Sequence, residues 1–434
     1  MSPRVNSSPL DDIRRALGPI SKRFQDAGHQ LYVVGGIVRD LLLGLPAAGD
    51  IDLTTDAHPD RTLSLTTDLS DAVWSQGKRF GTIGLRFAQM DIEITTFRSE
   101  AYDPASRKPV VSFGRDLHTD LSRRDFTINA MAASVHDGAV IDPFDGAGDL
   151  ERRALRTPLD PDTSFSDDPL RLMRAARFIA RFDLRPTDEL SAAARRNATR
   201  LPIVSIERIR DEFERLLDLS APAQGLHFLA DHDLLSSLLP PDLPISFEVS
   251  DALNWAAAGE SPVPETRRTM RRAGFLYNLG PASARQHLTR LRYPGAQVAR
   301  TAALIEFAHR LQQPVSSSAD LRRLVADSGA ANEPHLLDAA ADLARLVSVS
   351  AHRPESYRAL VELRRTEDLS DLDAPIDGRQ IIAHLGLAPG PAVGSIVAAL
   401  RRRRIEDGPF TASEALDLLP DLATRLGLDH PPRA

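Results

Sequence analysis

The spacing of apolar residues changes character near residue 150, and that change restricts what the chain can fold into. Before it, short β-branched runs alternate with helical spacings. LYVVGG (31–36) reads as a buried strand ending in a Gly-Gly turn, and IVRDLLLG (37–44) as a short helix stopped by Gly44. GDIDLTT (49–55), GTIGLRF (81–87) and MDIEITTFR (90–98) read as three further strands. Leu10, Ile13, Leu17 and Ile20 recur at helical spacing and predict a helix within 10–30. From about residue 150 to the C-terminus the pattern is helix after helix with short Pro/Gly breaks. An α+β architecture follows: a mixed-sheet head over residues 1–150, then an all-helical remainder. PPDLPIS (240–246) and GESPVP (259–264) read as linkers within the helical part, and no fixed-period repeat is present.

With 434 residues, 42% hydrophobic and 26% charged, the chain has material for two to four domains with real cores. It has no cysteine, which excludes disulfide frameworks and thiolate metal sites. MSPRVNSSPLDDIRRAL lacks an apolar signal core, and no apolar run approaches the roughly 18 residues of a membrane span, so a cytoplasmic enzyme without membrane contact is expected. A net charge of −7 argues against indiscriminate binding of nucleic acid. Lysine occurs only at positions 22, 78 and 108, so the abundance of arginine reflects a general bias; its placement carries the information. The tract Arg401–Arg404 reads as a solvated helix end.

Asp50 and Asp52 stand i, i+2 in a strand, which puts both carboxylates on one face. Paired carboxylates hold divalent metals for in-line phosphoryl chemistry, and Mg²⁺ takes hard oxygen ligands completed by substrate phosphates. Alone, D-x-D more often means two acids facing solvent on a half-exposed strand. The upstream residues favour the first reading. Gly35 and Gly36 let a phosphate approach the backbone, and Arg39 in the first helical turn is placed to meet the same anion as a charged fork. Glu93 is a candidate third carboxylate from a neighbouring strand.

VGGIVRDLLLG…GDIDLTT resembles the opening motif of class II tRNA nucleotidyltransferases, the CCA-adding enzymes, and of the related bacterial poly(A) polymerases. RRDFTINAMA (123–132), DDPLRLMRAARF (167–178) and IERIRDEFERLL (206–217) resemble further motifs of that family in its order, with IDPFDGAGDLERRALRT (141–157) as the connecting segment. The resemblance spans about residues 30–220. It implies a polymerase-β-like nucleotidyltransferase head (1–150), a helical neck for base selection and RNA binding (151–240), a helical body (241–365) and a helical tail (366–434).

Carried over by motif, it implies that Asp50 and Asp52 are catalytic metal ligands for Mg²⁺. Gly35, Gly36, Arg39 and Arg124 match nucleotide-binding positions. Asp168 and Arg171 match the pair that reads the Watson–Crick edge of the incoming base, and Arg174 and Arg177 match further nucleotide contacts. Steps of three along one helix bring Asp168, Arg171 and Arg174 to adjoining parts of a face. CTP and ATP are the implied nucleotides and tRNA the implied partner. SEAYDPASRKPVVSFG (99–114) corresponds to the loop that switches the family from adding C to adding A, with Arg107 and Lys108 at its basic centre.

Two departures stand out. RRAGFLYNLG (271–280) has Tyr277-Asn278 where bacterial relatives with an HD phosphohydrolase domain carry His-Asp, which implies a degenerate remnant. GKRFGTIGL (77–85) partly resembles a poly(A) polymerase signature. APIDGRQIIAHLGLAPGPAVGSIVAALRRRR (374–404) resembles the family's tail and fits either tRNA contact or plain helical packing. The expected activity is CCA addition; the alternatives are a poly(A) polymerase, a partial CC- or A-adding enzyme, and a non-catalytic RNA-binding protein.

Overall fold

The computed structural model describes residues 9–46, 50–101, 110–114, 116–238, 263–328, 337–339, 342–344 and 355–428. They form two compact units, Met1–Leu219 with Gln224–Pro240, and Ser220–Ala223 with Pro241–Ala434.

The first unit is built on a seven-stranded sheet. Its strands are β1 (Leu31–Val34), β2 (Ile51–Thr55), β3 (Ala72–Trp74), β4 (Thr82–Phe87), β5 (Met90–Thr96), β8 (Ala132–Ser134) and β9 (Val140–Ile141), in the order β3-β4-β5-β2-β1-β8-β9. Only β2 and β5 pair in parallel; every other neighbour is antiparallel. A separate hairpin joins β6 (Arg98–Ala101) to β7 (Val110–Phe113). Residues 102–109, with Arg107 and Lys108, lie outside the described residues.

Strand alternation sorts the two faces of the sheet. Ile51, Leu53, Leu85, Ile92 and Ile94 enter one core with Ile13, Leu17, Ile20 and Phe24 of helices α1 (Pro9–Ala16) and α2 (Gly18–Asp26). The helix expected within 10–30 is thus two helices. Pro19 sits in the first turn of α2, where a missing N–H costs nothing, but it cannot continue α1. Asp52, Thr54, Glu93 and Thr95 project from the opposite face. That face is the one that meets the arginine-rich loop at 123–125 and the neck. The remaining helices here are α3 (Gly36–Leu42), α4 (Pro59–Thr66), α5 (Leu117–Ser122), α6 (Gly146–Arg152), α7 (Pro161–Asp167), α8 (Leu170–Phe182), α9 (Asp188–Asn197), α10 (Ile206–Leu217) and α11 (Ala223–Asp231).

The second unit is helical throughout its described residues. Tyr277, in a short turn after the helix Pro264–Leu276, packs edge-on against His309 at 4.3 Å, and its carbonyl lies 3.1 Å from His309 Nε2. Helices Gly378–Leu385, Pro391–Asp407 and Ala412–Arg425 share a core of Ile381, Ile396, Leu400, Leu419 and Ala423. The arginine tract is split: Arg401 to Arg403 are exposed, whereas Arg404 is buried. Arg404 and Arg322 each donate to Glu367 at 2.8 Å, one to each carboxylate oxygen. Among the described residues, no helix of the chain is long and apolar enough to cross a membrane.

Candidate active site

The parallel pairing of β2 and β5 sets Asp52 directly beside Glu93. Glu93 therefore stands beside Asp52, through a contact between strands about 40 residues apart. Burial pushes the Asp52 carboxyl up; Arg124 offsets part of that rise and Asp50 adds to it. Burial likewise raises Glu93, helped by Asp52 and Asp50. Asp52 thus feels the charge of Asp50, and Glu93 feels both, which is the electrostatic state of a set awaiting a cation. Among the described residues no three or more His, Cys, Asp or Glu side chains are gathered closely enough to hold a metal ion by themselves. The set is open, and its all-oxygen chemistry fits a divalent ion that keeps positions for phosphate oxygens.

On the β1 side of Asp52 lies the anion corner. Gly35 closes β1 at φ +75°, and a Cβ there would stand 2.9 Å from Arg124 Nη1. Only glycine fits both the dihedral and the space. Burial lowers the Arg124 pKa against the pull of Asp120 and Asp52. Its buried Nε has no hydrogen-bond partner. Nη1 of the same guanidinium borders the glycine turn, and a cation there, beside the Asp52 carboxylate, suits an incoming phosphate.

Asp120 holds this corner together, and sequence reading missed it. Fully buried, it accepts from Arg123 Nε and Nη2 at 3.1 and 2.9 Å and from the Arg98 backbone N–H at 3.3 Å. Thr54 of β2 donates to it at 3.3 Å, and Arg124 Nη2 stands 3.6 Å away. The only sequence signal was its i−3 and i−4 spacing from Arg123 and Arg124 on a helix capped by Asp116.

Arg39 is not the free fork that its position suggested. It is buried, with Nε and Nη2 on Asp40 at 2.8 and 2.7 Å and Nη1 on Asn129 Oδ1 at 2.5 Å. Its guanidinium packs over the Phe182 ring at 4.4 Å. Aromatic cover and a neighbouring acid turn it inward, so it positions the turn at Gly36, whose Cβ would meet Arg39 Nη2 at 3.1 Å.

The base-reading helix also differs from expectation. Asp168 lies outside α8, with φ −135° and ψ 96°, because Pro169 excludes the helical conformation from the residue before it. Its carboxylate accepts from the Leu170 N–H at 3.2 Å and pairs with Arg208 at 3.4 Å. Arg171 donates to Ser164 Oγ at 2.7 Å and to the Arg123 carbonyl at 2.5 Å. Arg174 binds Asp125 through Nε at 2.8 Å, and Arg177 binds buried Glu212 at 2.7 Å. The ladder is tied together by shared acids: Asp125 faces Arg171 and Arg174, and Glu212 stands 3.7 Å from Arg174 Nη1 and accepts from Arg177. Asp125, Asn129 and Glu212, all inside the motifs, went unread as partners because nothing in their spacing shows what packs against them.

A sheet with strand-borne carboxylates on an open face, facing a glycine turn and an arginine-bearing loop, defines a nucleotidyltransferase head. Residues 31–156 match the family described as Poly A polymerase head domain, and residues 183–244 the one described as Probable RNA and SrmB- binding site of polymerase A. The chain is 32% identical over 396 residues to the CCA-adding enzyme of Geobacillus sp. (strain WCH70), covering 90% of this chain and 92% of that protein. It superposes with a TM-score of 0.72 and 25% identity on the Bacillus stearothermophilus CCA-adding enzyme in complex with CTP, covering 97% of this chain and 99% of that one. The fold is shared with the Thermotoga maritima CCA-adding enzyme complexed with tRNA, at a TM-score of 0.68 and 21% identity over 98% and 97% of the two chains. The chain belongs to the family of CCA-adding enzymes.

Proposed function

We propose that this chain is a template-independent tRNA nucleotidyltransferase that adds C, C and A to the tRNA 3′ end from CTP and ATP. The observation that carries the reading is Asp52 beside Glu93 on paired strands, with Asp50 adding to their charge and the Arg124 guanidinium set between Asp52 and the Gly35 turn. In the reaction the terminal 3′-hydroxyl forms a bond to the α-phosphorus, the bond from that phosphorus to the bridging oxygen breaks, and pyrophosphate leaves. Asp50 and Asp52, with Glu93 abreast, would hold Mg²⁺, which when bound neutralises charge developing on the reacting phosphate. Arg124 and the backbone at Gly35 and Gly36 receive the triphosphate. Arg39, Arg174 and Arg177 support the site through buried pairs. Asp168 and Arg171 present an acceptor and donors to the base, and the cytoplasm, where tRNA and both nucleotides meet, is the expected location.

Given tRNA truncated before its CCA end with CTP and ATP, the protein is expected to add two C residues, then one A, and stop. Product length on a sequencing gel reads this directly. A long A tail on any RNA would transfer the chain to the poly(A) polymerases, and arrest after CC would make it a partial enzyme.

Base choice gives a second test. A good two-point base contact is worth about 1–3 kcal/mol of discrimination. Asp168→Ala is therefore expected to narrow the CTP-over-UTP preference by about tenfold or more, measured as a ratio of single-turnover rates. A uniform rate loss at unchanged preference would leave Asp168 only its cap and its pair with Arg208.

A further inference from the structure

The row that holds Asp52 and Glu93 continues across the sheet. Glu93 pairs with Gly84 and Gly84 with Trp74, so Asp52, Glu93, Gly84 and Trp74 stand abreast on β2, β5, β4 and β3. Directly opposed residues of paired strands share a face. The neighbouring row agrees: Val73 pairs with Leu85 and Leu85 with Ile92, all on the core side. Trp74 thus projects from the same face as the carboxylates. A Cβ at Gly84 would lie 1.8 Å from Trp74 Nε1 and 2.3 Å from Cε2, so the indole occupies the space that any other residue at position 84 would fill. The side chain remains half-buried, and among the described residues no ring stacks on it and no acceptor meets its N–H.

Sheet order tells which reactant comes this way. The Gly35–Arg124 corner lies on the β1 side of Asp52, whereas β5, β4 and β3 lie on the other. In phosphoryl transfer the attacking and leaving oxygens stand roughly in line on opposite sides of the phosphorus. With pyrophosphate directed to the Gly35–Arg124 corner, the acceptor strand approaches over Glu93, β4 and β3. Strands are about 4.8 Å apart, which sets Gly84 about 10 Å from Asp52.

We propose that Trp74 is the stacking platform for a base at the 3′ end of the RNA acceptor. This rests on the nucleotidyltransferase reading above. An aromatic surface suits this place because every base has a π-face. The terminal base changes with each addition, and a platform that ignores base identity serves every round.

The test uses the full-length protein with Trp255→Phe, which leaves Trp74 as the only tryptophan. Titration with tRNA truncated before its CCA end is expected to quench Trp74 fluorescence, a readout that needs no turnover. In steady-state incorporation, Trp74→Ala is expected to raise the KM for tRNA about tenfold while the KM for CTP stays within about twofold, and Trp74→Phe to restore most of the loss. Gly84→Ala, which displaces the indole without removing it, is expected to reproduce the tRNA defect and guards against misfolding of the first variant. Absence of quenching, or an unchanged tRNA KM in both Trp74→Ala and Gly84→Ala, would overturn the platform. So would an equal rise in both KM values. Incorporation of CTP by the unmodified chain tests the nucleotidyltransferase reading separately, so the two can fail independently.

Discussion

Asp52→Ala is expected to lower single-turnover CTP incorporation by about a thousandfold or more, and Asp50→Ala to do the same. Metal-borne stabilisation of a transferring phosphate is worth several kcal/mol, and each 1.36 kcal/mol is tenfold in rate. The apo protein should tolerate the change well. Burial raises the Asp52 carboxyl and Asp50 raises it further, so the folded state disfavours the ionised form. A raised acid weakens stability as pH climbs above its unfolded value, so removing it at neutral pH relieves repulsion. The unmodified protein should gain thermal stability on adding Mg²⁺, because the ion binds only the folded state, and Asp52→Ala should gain much less. Near-normal incorporation by either variant would remove both residues from the metal assignment, and an equal Mg²⁺ shift in variant and parent would do so independently of activity.

Asp125→Ala is expected to be the most destabilising single change in the head. The carboxylate is 9% exposed and accepts from Arg174 Nε at 2.8 Å, Asn129 Nδ2 at 2.9 Å and the Phe126 N–H at 2.9 Å. Truncation removes the nearest acid of the Arg174 guanidinium, leaving Glu212 at 3.7 Å, and breaking a buried pair costs about 3–5 kcal/mol. Asn129 also holds Arg39, so the loss reaches the glycine turn. Burial alone would raise the Asp125 carboxyl, but Arg174, Asn129 and Arg171 bring it from 3.8 down to about 2. A depressed acid contributes stability that is complete above its unfolded value and disappears as pH falls through the folded one. The difference corresponds to about 2 kcal/mol between pH 4 and pH 2. Urea unfolding of Asp125→Asn beside the parent should therefore show a gap that is constant from pH 7 to about pH 5 and narrows below pH 4. A gap independent of pH would mean that shape, and not charge, is what Asp125 supplies.

The division between what the chain spells out and what its folding adds follows the range of the forces involved. Period-two alternation in IDLTT and MDIEITT is local, so the sequence alone put Asp52 and Glu93 each on the polar side of its strand, whereas Asp50 lies just before β2, which begins at Ile51. The positive φ of Gly35 and the helix stop at Gly44 are likewise backbone chemistry, legible where they stand. The order of motifs from VGGIVRD to IERIRDEF carried the family. Neighbours across space were not legible. That β5 slots in parallel beside β2, and so sets Glu93 against Asp52, depends on pairing between distant segments that no local pattern encodes. Charge partners are decided the same way: Arg39 turns inward because Asp40, Asn129 and Phe182 surround it, and Arg177 is claimed by Glu212. Asp168 shows both levels at once. Its i, i+3 spacing from Arg171 promised one helical face, while Pro169, in plain view between them, forced it into extended backbone where Arg208 could reach it. The sequence by itself determined which chemistry the head carries; tertiary packing decided which of its charges stay available for substrate and which are consumed holding the others in place.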